Sequence, residues 1–237
     1  MLPSSCKEQF ERNRSSPNGV YNLKHNESLQ YYPVYCNMAE IHGCGEGGWT
    51  LVMKIDGNKN EFSYDSAYWT NKETYNVEGG LKGLTEDQTK LASYWNIPFK
   101  KICLGMEVDD EERWTVLNYT AISLYDVIVD GSFKSTKAGR KAWESLIFGS
   151  ALQKNCNQEG FNIKIEKYYG NASTNVRIGL VANNQNDCKT CNSCIGFGTF
   201  MRGCYEDSPR NTSCGNIAVC RVLSNKNIAA FGFILVQ

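Results

Sequence analysis

The sequence lacks several features that would assign it to a familiar functional class. No run of 18 apolar residues is present, so we expect no membrane-spanning helix. The 25 Lys and Arg residues balance 25 Asp and Glu residues, and this neutral charge argues against nucleic-acid binding. There is no repeat, low-complexity tract, Pro-rich linker, or collagen-like or heptad stalk. The 237 residues are therefore expected to form one domain with a sizeable core.

Histidine is also scarce, because only His25 and His42 occur. A general base in catalysis is most often a histidine whose pKa matches the working pH. His25 adjoins a glycosylation motif and His42 lies in a Gly-rich turn, and neither has an evident Ser or Cys partner in the sequence. We therefore predict that the protein is not an enzyme.

Cysteine, in contrast, is abundant and odd in number, at 11 residues. Such a count indicates disulfides in an oxidising compartment, or metal and redox sites in the cytosol. Five Asn-x-Ser/Thr motifs favour the first interpretation and a secreted glycoprotein. These motifs begin at Asn13, Asn26, Asn118, Asn171 and Asn211. The first residues lack the apolar segment of a signal peptide, so we expect that the sequence represents the mature form.

The pattern of apolar residues predicts an α+β fold built on a twisted antiparallel sheet with short helices. Capping boxes predict helices after Ser5 and after Thr85, and an apolar stripe predicts a third helix over 138–147 that ends near Gly149. Strands rich in Val, Ile and aromatic residues are predicted at 19–23, 31–38, 49–55, 101–108, 114–119, 162–167, 176–182 and 231–236.

Residues 182–220 are expected to form a long, Cys-rich ligand loop, because Asn, Cys, Gly, Ser and Thr dominate and apolar periodicity is missing. Cys188, Cys191 and Cys194 have a spacing that suits zinc or disulfides, and the glycosylation motifs favour disulfides. The polar stretch 183–187 fits an extracellular calcium site and a simple turn equally well.

Two other motifs have ordinary structural interpretations. Gly43, Gly45 and Gly48 match the dinucleotide-binding fingerprint, but they precede a predicted strand rather than a helix, so we predict a tight turn. The acidic run 109–112 lies between two predicted strands and indicates a solvated hairpin turn, with a weak calcium site as the alternative.

The N-terminal subregion, 1–55, carries a recognisable frame. Cys6 is followed by Gly-Val-Tyr at 19–21, by Tyr-Pro-Val-Tyr-Cys-Asn-Met at 32–38 and by Gly-Gly-Trp-Thr-Leu-Val at 47–52. This frame resembles the start of fibrinogen-related domains and intelectins. The resemblance implies a fibrinogen C-terminal-like fold and a disulfide between Cys6 and Cys36.

The C-terminal part resembles intelectins more closely. Cys188 and Cys194 precede Ile-Gly-Phe-Gly at 195–198, Glu-Asp-Ser-Pro at 206–209 and Cys-Gly-Asn at 214–216. The resemblance implies a disulfide between Cys156 and Cys188, and also disulfide roles for Cys194 and Cys214. Cys191, Cys204 and Cys220 are expected to rigidify the long loop, and Cys44 and Cys103 are the candidates for the unpaired cysteine.

The middle of the chain is similar to an uncharacterised family of coral skeletal organic matrix proteins and their cnidarian relatives. The shared phrases are Phe-Ser-Tyr-Asp-Ser-Ala-Tyr-Trp-Thr at 62–70, Lys-Leu-Ala-Ser-Tyr-Trp-Asn at 90–96 and Lys-Ile-Cys-Leu-Gly-Met at 101–106. This similarity implies an extracellular protein, associated with biomineralization, more than it implies any activity.

Intelectins bind glycan diols through a calcium ion, and the present sequence keeps only part of that site. Glu206 matches an acid, but Asn192 stands in place of a His and Asn216 in place of an Asp, while Lys189 and Cys191 replace an Asn and a Glu. The intelectin site is therefore not expected to be intact. The oxygen ligands that remain as candidates for calcium are Asp187, Asn192, Glu206 and Asn216. Phe200 and Tyr205 are the candidates for an apolar wall against a sugar ring, beside Asn192 and Glu206.

Two functions follow as expectations. The first is a secreted, lectin-like recognition protein that binds a glycan or another extracellular ligand, assisted by calcium. The second is a structural protein of an extracellular or skeletal matrix, in which the odd cysteine links chains through a disulfide.

Overall fold

The computed structural model describes residues 2–25, 30–166, 173–202, 212–218 and 226–237. A first antiparallel sheet has the order β1-β2-β3-β13-β5-β6, with β4 beside β3. Its strands are β1 (Gly19–Lys24), β2 (Tyr31–Asn37), β3 (Trp49–Asp56), β4 (Thr89–Lys90), β5 (Phe99–Val108), β6 (Glu111–Ala121) and β13 (Phe231–Val236).

A second antiparallel sheet has the order β12-β11-β10-β9-β8-β7. Its strands are β7 (Lys134–Ser135), β8 (Asn155–Glu166), β9 (Ser173–Asn183), β10 (Ser193–Arg202), β11 (Cys214–Ala218) and β12 (Lys226–Ala229). Two sheets with short helices confirm the α+β class, and all eight predicted strands are present.

The last strand, β13, lies in the centre of the first sheet between β3 and β5. Every residue of β13 is buried, as expected for a strand with neighbours on both sides. The two sheets meet here, because a Cβ atom on Gly232 would stand 2.5 Å from Cys214 Sγ. One apolar core therefore includes residues of both sheets.

Within the described ranges, five short α-helices and a 3₁₀ turn connect the strands. The helices are α1 (Cys6–Arg12), α2 (Val77–Leu81), α3 (Ser93–Asn96), α4 (Leu124–Ile128) and α5 (Arg140–Glu144), and the 3₁₀ turn is Ala67–Trp69. The Ser5 side chain accepts a hydrogen bond from Glu8 N, which confirms the predicted start of α1. In the part of the chain that the structure describes, no helix has the length and apolar character needed to span a bilayer.

The helix predicted after Thr85 is wrong over most of its length. Thr85 accepts hydrogen bonds from the buried ammonium of Lys54, and Gln88 accepts one from Asp56 N, so neither side chain caps a helix. Residues 89–90 pair with β3 instead, and the helical geometry is confined to α3. The third helix is confirmed but shorter than predicted, because α5 ends at Glu144.

The loop predicted over 182–220 is also wrong in extent, because β10 and β11 lie within it. Their pairing is continuous, with Gly196 opposite Gly179 on one side and opposite Gly215 on the other. These glycines face backbone at close range, since a Cβ atom on Gly196 would stand 2.2 Å from Ile178 O. The low apolar content that suggested a loop thus reflects tight strand packing.

The Gly-rich segment and the acidic run adopt the structures predicted for them. Gly43, Gly45 and Gly48 have positive φ angles in a turn that leads directly into β3. Asp109 and Asp110 have φ angles of 52° and 62° and form the two-residue connection between β5 and β6. Two successive positive φ angles are typical of a type I′ hairpin turn.

Three disulfides are present among the described residues. They join Cys6 to Cys36, Cys44 to Cys103 and Cys156 to Cys188, with Cα–Cα distances of 5.4, 5.6 and 5.1 Å. The first and third are the pairs that the resemblance implies. The second corrects the expectation that Cys44 or Cys103 is unpaired.

Cys194 and Cys214, expected in disulfides, are instead buried thiols. Cys194 pairs with Ile217 on β11, whereas Cys214 pairs with Phe197 on β10. Cys214 is therefore level with a residue three positions along β10 from Cys194. Because successive side chains of a strand point to opposite faces, the two cysteines lie on opposite faces of the sheet. Cys214 packs into the core between the sheets and Cys194 into a separate cluster, so they cannot bond to each other.

Arg177 of β9 joins the second sheet to the segment that follows β3. Its Nε donates to Tyr64 O at 2.8 Å and its Nη1 donates to Asn162 Oδ1 at 2.9 Å. The guanidinium lies 4.3 Å from the centre of the Tyr64 ring. The charge is buried but hydrogen-bonded and stacked on a π face, an arrangement that suits arginine.

Candidate functional site

The connection between β9 and β10, residues 184–192, is the part of the predicted ligand region that forms a true loop. It closes where Asn192 N donates to Ala182 O at 3.0 Å. The disulfide between Cys156 and Cys188 ties the middle of the loop to the adjacent strand β8. We call residues 184–192 the β9–β10 loop.

Asn183 holds this loop from beneath. Its side chain is fully buried, and Nδ2 donates to Asp187 O and to Thr190 Oγ1, the latter at 2.9 Å. Its Oδ1 accepts from Asn184 N at 2.8 Å. One buried amide therefore satisfies three groups of the loop and fixes its path.

Asp187 is the acidic residue of the loop and is half-buried. Its Oδ1 accepts from Lys189 N at 2.8 Å, as in an Asx turn, and its Oδ2 lies 3.4 Å from Thr190 Oγ1. A carboxylate offers about four acceptor positions, so lone pairs remain for a cation or a hydroxyl donor. The neighbouring residues 184–186 are exposed and add amide oxygens.

Asn192 contributes a buried amide at the end of the loop. Its side chain is 8% exposed, and Nδ2 donates to Asn184 Oδ1 at 3.2 Å. The Oδ1 atom is buried and accepts no hydrogen bond from the residues that the structure describes. An unsatisfied buried oxygen costs about 1–3 kcal/mol, so a hydroxyl donor or a cation that reached this atom would recover part of that cost.

Asn216, a predicted metal ligand, has its side-chain amide engaged in hydrogen bonds within the fold. It is fully buried in β11, where Oδ1 accepts from Ala151 N at 2.8 Å and Nδ2 donates to Ala151 O and Cys194 O. These three bonds attach the segment before β8 to the sheet. An amide that fits an ion site is equally suited to bracing neighbouring backbone, and residue type alone does not distinguish the two uses.

Phe200, predicted to wall a sugar ring, is far from the loop. It lies on β10 opposite Asn175, seven residues along the strand from Ser193. At about 3.3 Å per residue the separation is roughly 23 Å. Tyr205 and Glu206 lie outside the described residues. The structure thus brings Asp187 and Asn192 into one loop and places Asn216 and Phe200 elsewhere.

A group of sulfur atoms lies against the same loop. Cys191 Sγ is 3.7 Å from Cys156 Sγ, which is bonded to Cys188. Burial, reinforced by the Asp187 carboxylate, raises the pKa of the Cys191 thiol to about 12. Burial likewise raises the pKa of Cys194 to about 12. Among the described cysteines Cys188 is exposed, whereas the unpaired thiols are buried.

Sequence reasoning missed an acidic cleft of about 380 Å³ at the far ends of β3 and β5. Asp56, Glu86, Glu107 and Asp109 line it. Burial, and then the charges of Glu86 and other carboxylates, raise the pKa of Glu107. Across the described ranges, no three His, Cys, Asp or Glu side chains are grouped to hold a metal ion. These acidic residues come from separate parts of the sequence, so no local motif predicts the cleft.

Two of the five glycosylation motifs lie on described surface. Asn13 ends α1 and Asn118 lies on β6, and both are exposed. Their positions leave room for an attached glycan. Asn26, Asn171 and Asn211 lie outside the described residues.

Comparison with known proteins finds a likeness in fold. No family model matches the chain. The fold is similar to that of the fibrinogen-like globe domain of human ANGPTL2, at 13% sequence identity and a TM-score of 0.43, over 99% of this chain and 98% of that chain.

Proposed function

We propose that this protein is a secreted recognition domain of the fibrinogen-related, intelectin-like type, and that it binds a glycan or another hydroxyl-rich extracellular ligand at the β9–β10 loop. The observation that carries the proposal is the buried Asn192 Oδ1, an acceptor without a donor in the described part of the chain. It lies in the same braced loop as the Asp187 carboxylate.

The chemistry of the loop suits such a ligand. Amide side chains both donate and accept hydrogen bonds, as hydroxyl groups do. The amides of Asn184, Gln185 and Asn186 are exposed and carry no charge. The loop is held in place by Asn183 and by the Cys156–Cys188 disulfide, so little ordering is required when a ligand binds.

Calcium is the cofactor that these donors fit. Ca²⁺ prefers carboxylate and amide oxygens, and extracellular modules with few carboxylates hold it weakly. Asp187 and Asn192 are the described residues that would hold the ion, and Glu206 stays a prediction. A bound ion would supply a positive charge that polarises ligand hydroxyls, while the amides orient the ligand.

Two features support the proposal that the protein is secreted. Three disulfides among the described residues are typical of an oxidising compartment. Exposed glycosylation motifs at Asn13 and Asn118 agree with passage through the secretory pathway.

A glycan array, probed in calcium and again in chelator, tests the proposal. We expect binding in calcium that falls when chelator is added. Asp187→Asn keeps the oxygen that accepts from Lys189 N but removes the charge, so it should fold normally and lose the calcium-dependent signal. Asp110→Asn makes the same change in an exposed hairpin turn and should bind as wild type does. A folded wild-type protein that binds nothing in both conditions would contradict the proposal.

A structural matrix protein is the second candidate, and the odd number of cysteines favours it. Chains linked through disulfides should migrate as dimers or larger species in nonreducing electrophoresis and as monomers after reduction. A native protein that is monomeric under both conditions would remove this support.

A further inference from the structure

The Cys191 thiol lies at the Cys156 end of an existing disulfide. The distance from Cys191 Sγ to Cys156 Sγ is 3.7 Å, and Cys191 Sγ also lies 3.7 Å from Cys188 O. The β9–β10 loop and β8 therefore bring three cysteines together, of which two are bonded and the third is in contact. Exchange of a disulfide needs this arrangement, a thiol next to a sulfur of the bond that it replaces.

We propose that the Cys156–Cys188 disulfide exchanges with Cys191, so that the bridge moves to Cys156–Cys191 and Cys188 becomes a reactive thiol at the protein surface. The proposal does not depend on ligand binding by the loop.

The step balances within the chain and needs no oxidant. Cys191 gives up its proton, and its thiolate attacks Cys156 Sγ. The Cys156–Cys191 bond forms as the Cys156–Cys188 bond breaks, and the Cys188 thiolate leaves and takes up a proton. The protein contains one disulfide and one thiol here before and after the step.

The exchange changes which thiol is accessible to solvent, because Cys191 and Cys188 differ in exposure. Cys191 is buried, so its thiol is shielded from reagents in solution, whereas Cys188 is exposed on the loop. After exchange the thiol at Cys188 can form a mixed disulfide with a small extracellular disulfide such as cystine. The exchange thus replaces a buried thiol at Cys191 with an exposed thiol at Cys188 that can be modified.

Alkylation of the native protein tests this without any reductant. The full chain is incubated with iodoacetamide at pH 8.5, then digested under nonreducing conditions for mass spectrometry. We expect alkylated Cys188 together with a peptide pair joined through Cys156 and Cys191. An alkylated Cys191 with an intact Cys156–Cys188 bond, or no modification at either residue after a day, would overturn the proposal.

Three variants make the result specific. Cys191→Ser removes the attacking sulfur and should lower alkylation of Cys188 by roughly tenfold or more, because Cys191 is the described thiol in contact with the disulfide. Cys194→Ala removes a neighbouring buried thiol and should leave alkylation of Cys188 unchanged. Cys188→Ala should fold with a Cys156–Cys191 bridge. If Cys188→Ala instead contains two unpaired thiols at 156 and 191, or if Cys191→Ser labels as wild type does, the exchange does not occur.

Discussion

The Asn183 side chain lies fully buried beneath the β9–β10 loop, where its Nδ2 donates to the carbonyl oxygen of Asp187. The carboxylate proposed to meet the ligand is thus positioned by an amide that never reaches solvent. The residues that hold the loop are therefore different from those that would contact a ligand. Substitutions can alter one group without altering the other.

Asn183→Ala should weaken ligand binding although residue 183 contacts no ligand. The change leaves three loop groups without their partner, and we expect the protein to lose about 1–3 kcal/mol of stability. Denaturant titration checks the stability, and the array signal checks the binding. Asn186→Ala, an exposed change in the same loop, should leave stability unchanged. Equal stability of Asn183→Ala and wild type would show that the amide does not brace the loop.

Lys54→Met should destabilise the protein, and more so at alkaline pH. The Lys54 ammonium donates to Gly79 O, Gly83 O and Thr85 O at 3.0, 2.7 and 2.8 Å. Burial lowers the pKa of Lys54 to about 8. The unfolded chain therefore binds more protons between about pH 8 and 10.4, and stability gained from Lys54 rises with pH over that window.

Denaturant titrations at pH 7 and pH 9.5 measure this effect. The deficit of Lys54→Met should widen on the order of 1 kcal/mol per pH unit above pH 8. The exposed Lys59→Met serves as a control for loss of charge, and its deficit should stay small at both pH values. A Lys54→Met deficit that is the same at pH 7 and pH 9.5 would contradict the lowered pKa.

Arg177→Lys should destabilise the protein although it keeps the charge. A lysine ammonium cannot reproduce the planar donors that bond Tyr64 O and Asn162 Oδ1, nor the stacking on the Tyr64 ring. We expect a loss of about 2–3 kcal/mol, because at least one buried acceptor loses its donor. Thermal unfolding gives the value, and an unchanged midpoint would show that the contact does not stabilise the packing of β9 against the segment after β3.

Alkylation of Cys188 should accelerate about tenfold per pH unit from pH 7.5 to 9.5, because the pKa of Cys191 is raised to about 12 and its thiolate fraction is still rising. The Asp187 carboxylate adds to the effect of burial on the pKa of Cys191, and Cys191 in turn adds to the raised pKa of Cys194. A permanently exposed thiol would instead level off near its ordinary pKa of about 8.5. A plateau at pH 8.5 in the measured rates would therefore point to a thiol other than buried Cys191.

The sequence allowed much of the fold to be predicted, because strands such as β3 and β13 consist of apolar and β-branched residues. Strands β10 and β11 were not predicted. Gly196 and Gly215 allow the close approach of neighbouring backbone in these strands, but in the sequence glycines are typical of loops. The Cys44–Cys103 bridge could not be predicted either, because it joins residues 59 apart that share no motif.

Prediction of the site was less complete for a related reason. Residue type indicates that an oxygen is present but not whether that oxygen is already used. Asn192, at the end of the β9–β10 loop, and Asn216, in β11, carry the same amide. Oδ1 of Asn216 accepts a hydrogen bond from Ala151 N, whereas Oδ1 of Asn192 has no donor within the described ranges. Such differences arise from tertiary contacts that local spacing does not contain.

Calcium titration by isothermal calorimetry is the most direct test of the proposed site, using wild type, Asp187→Asn and Asp110→Asn. Wild type and Asp110→Asn should bind calcium with a Kd on the order of 10⁻⁴–10⁻³ M, the range of extracellular modules, and Asp187→Asn should bind at least about tenfold more weakly. Equal affinity of all three proteins, or no binding by the wild type, would contradict a calcium-assisted site in the β9–β10 loop.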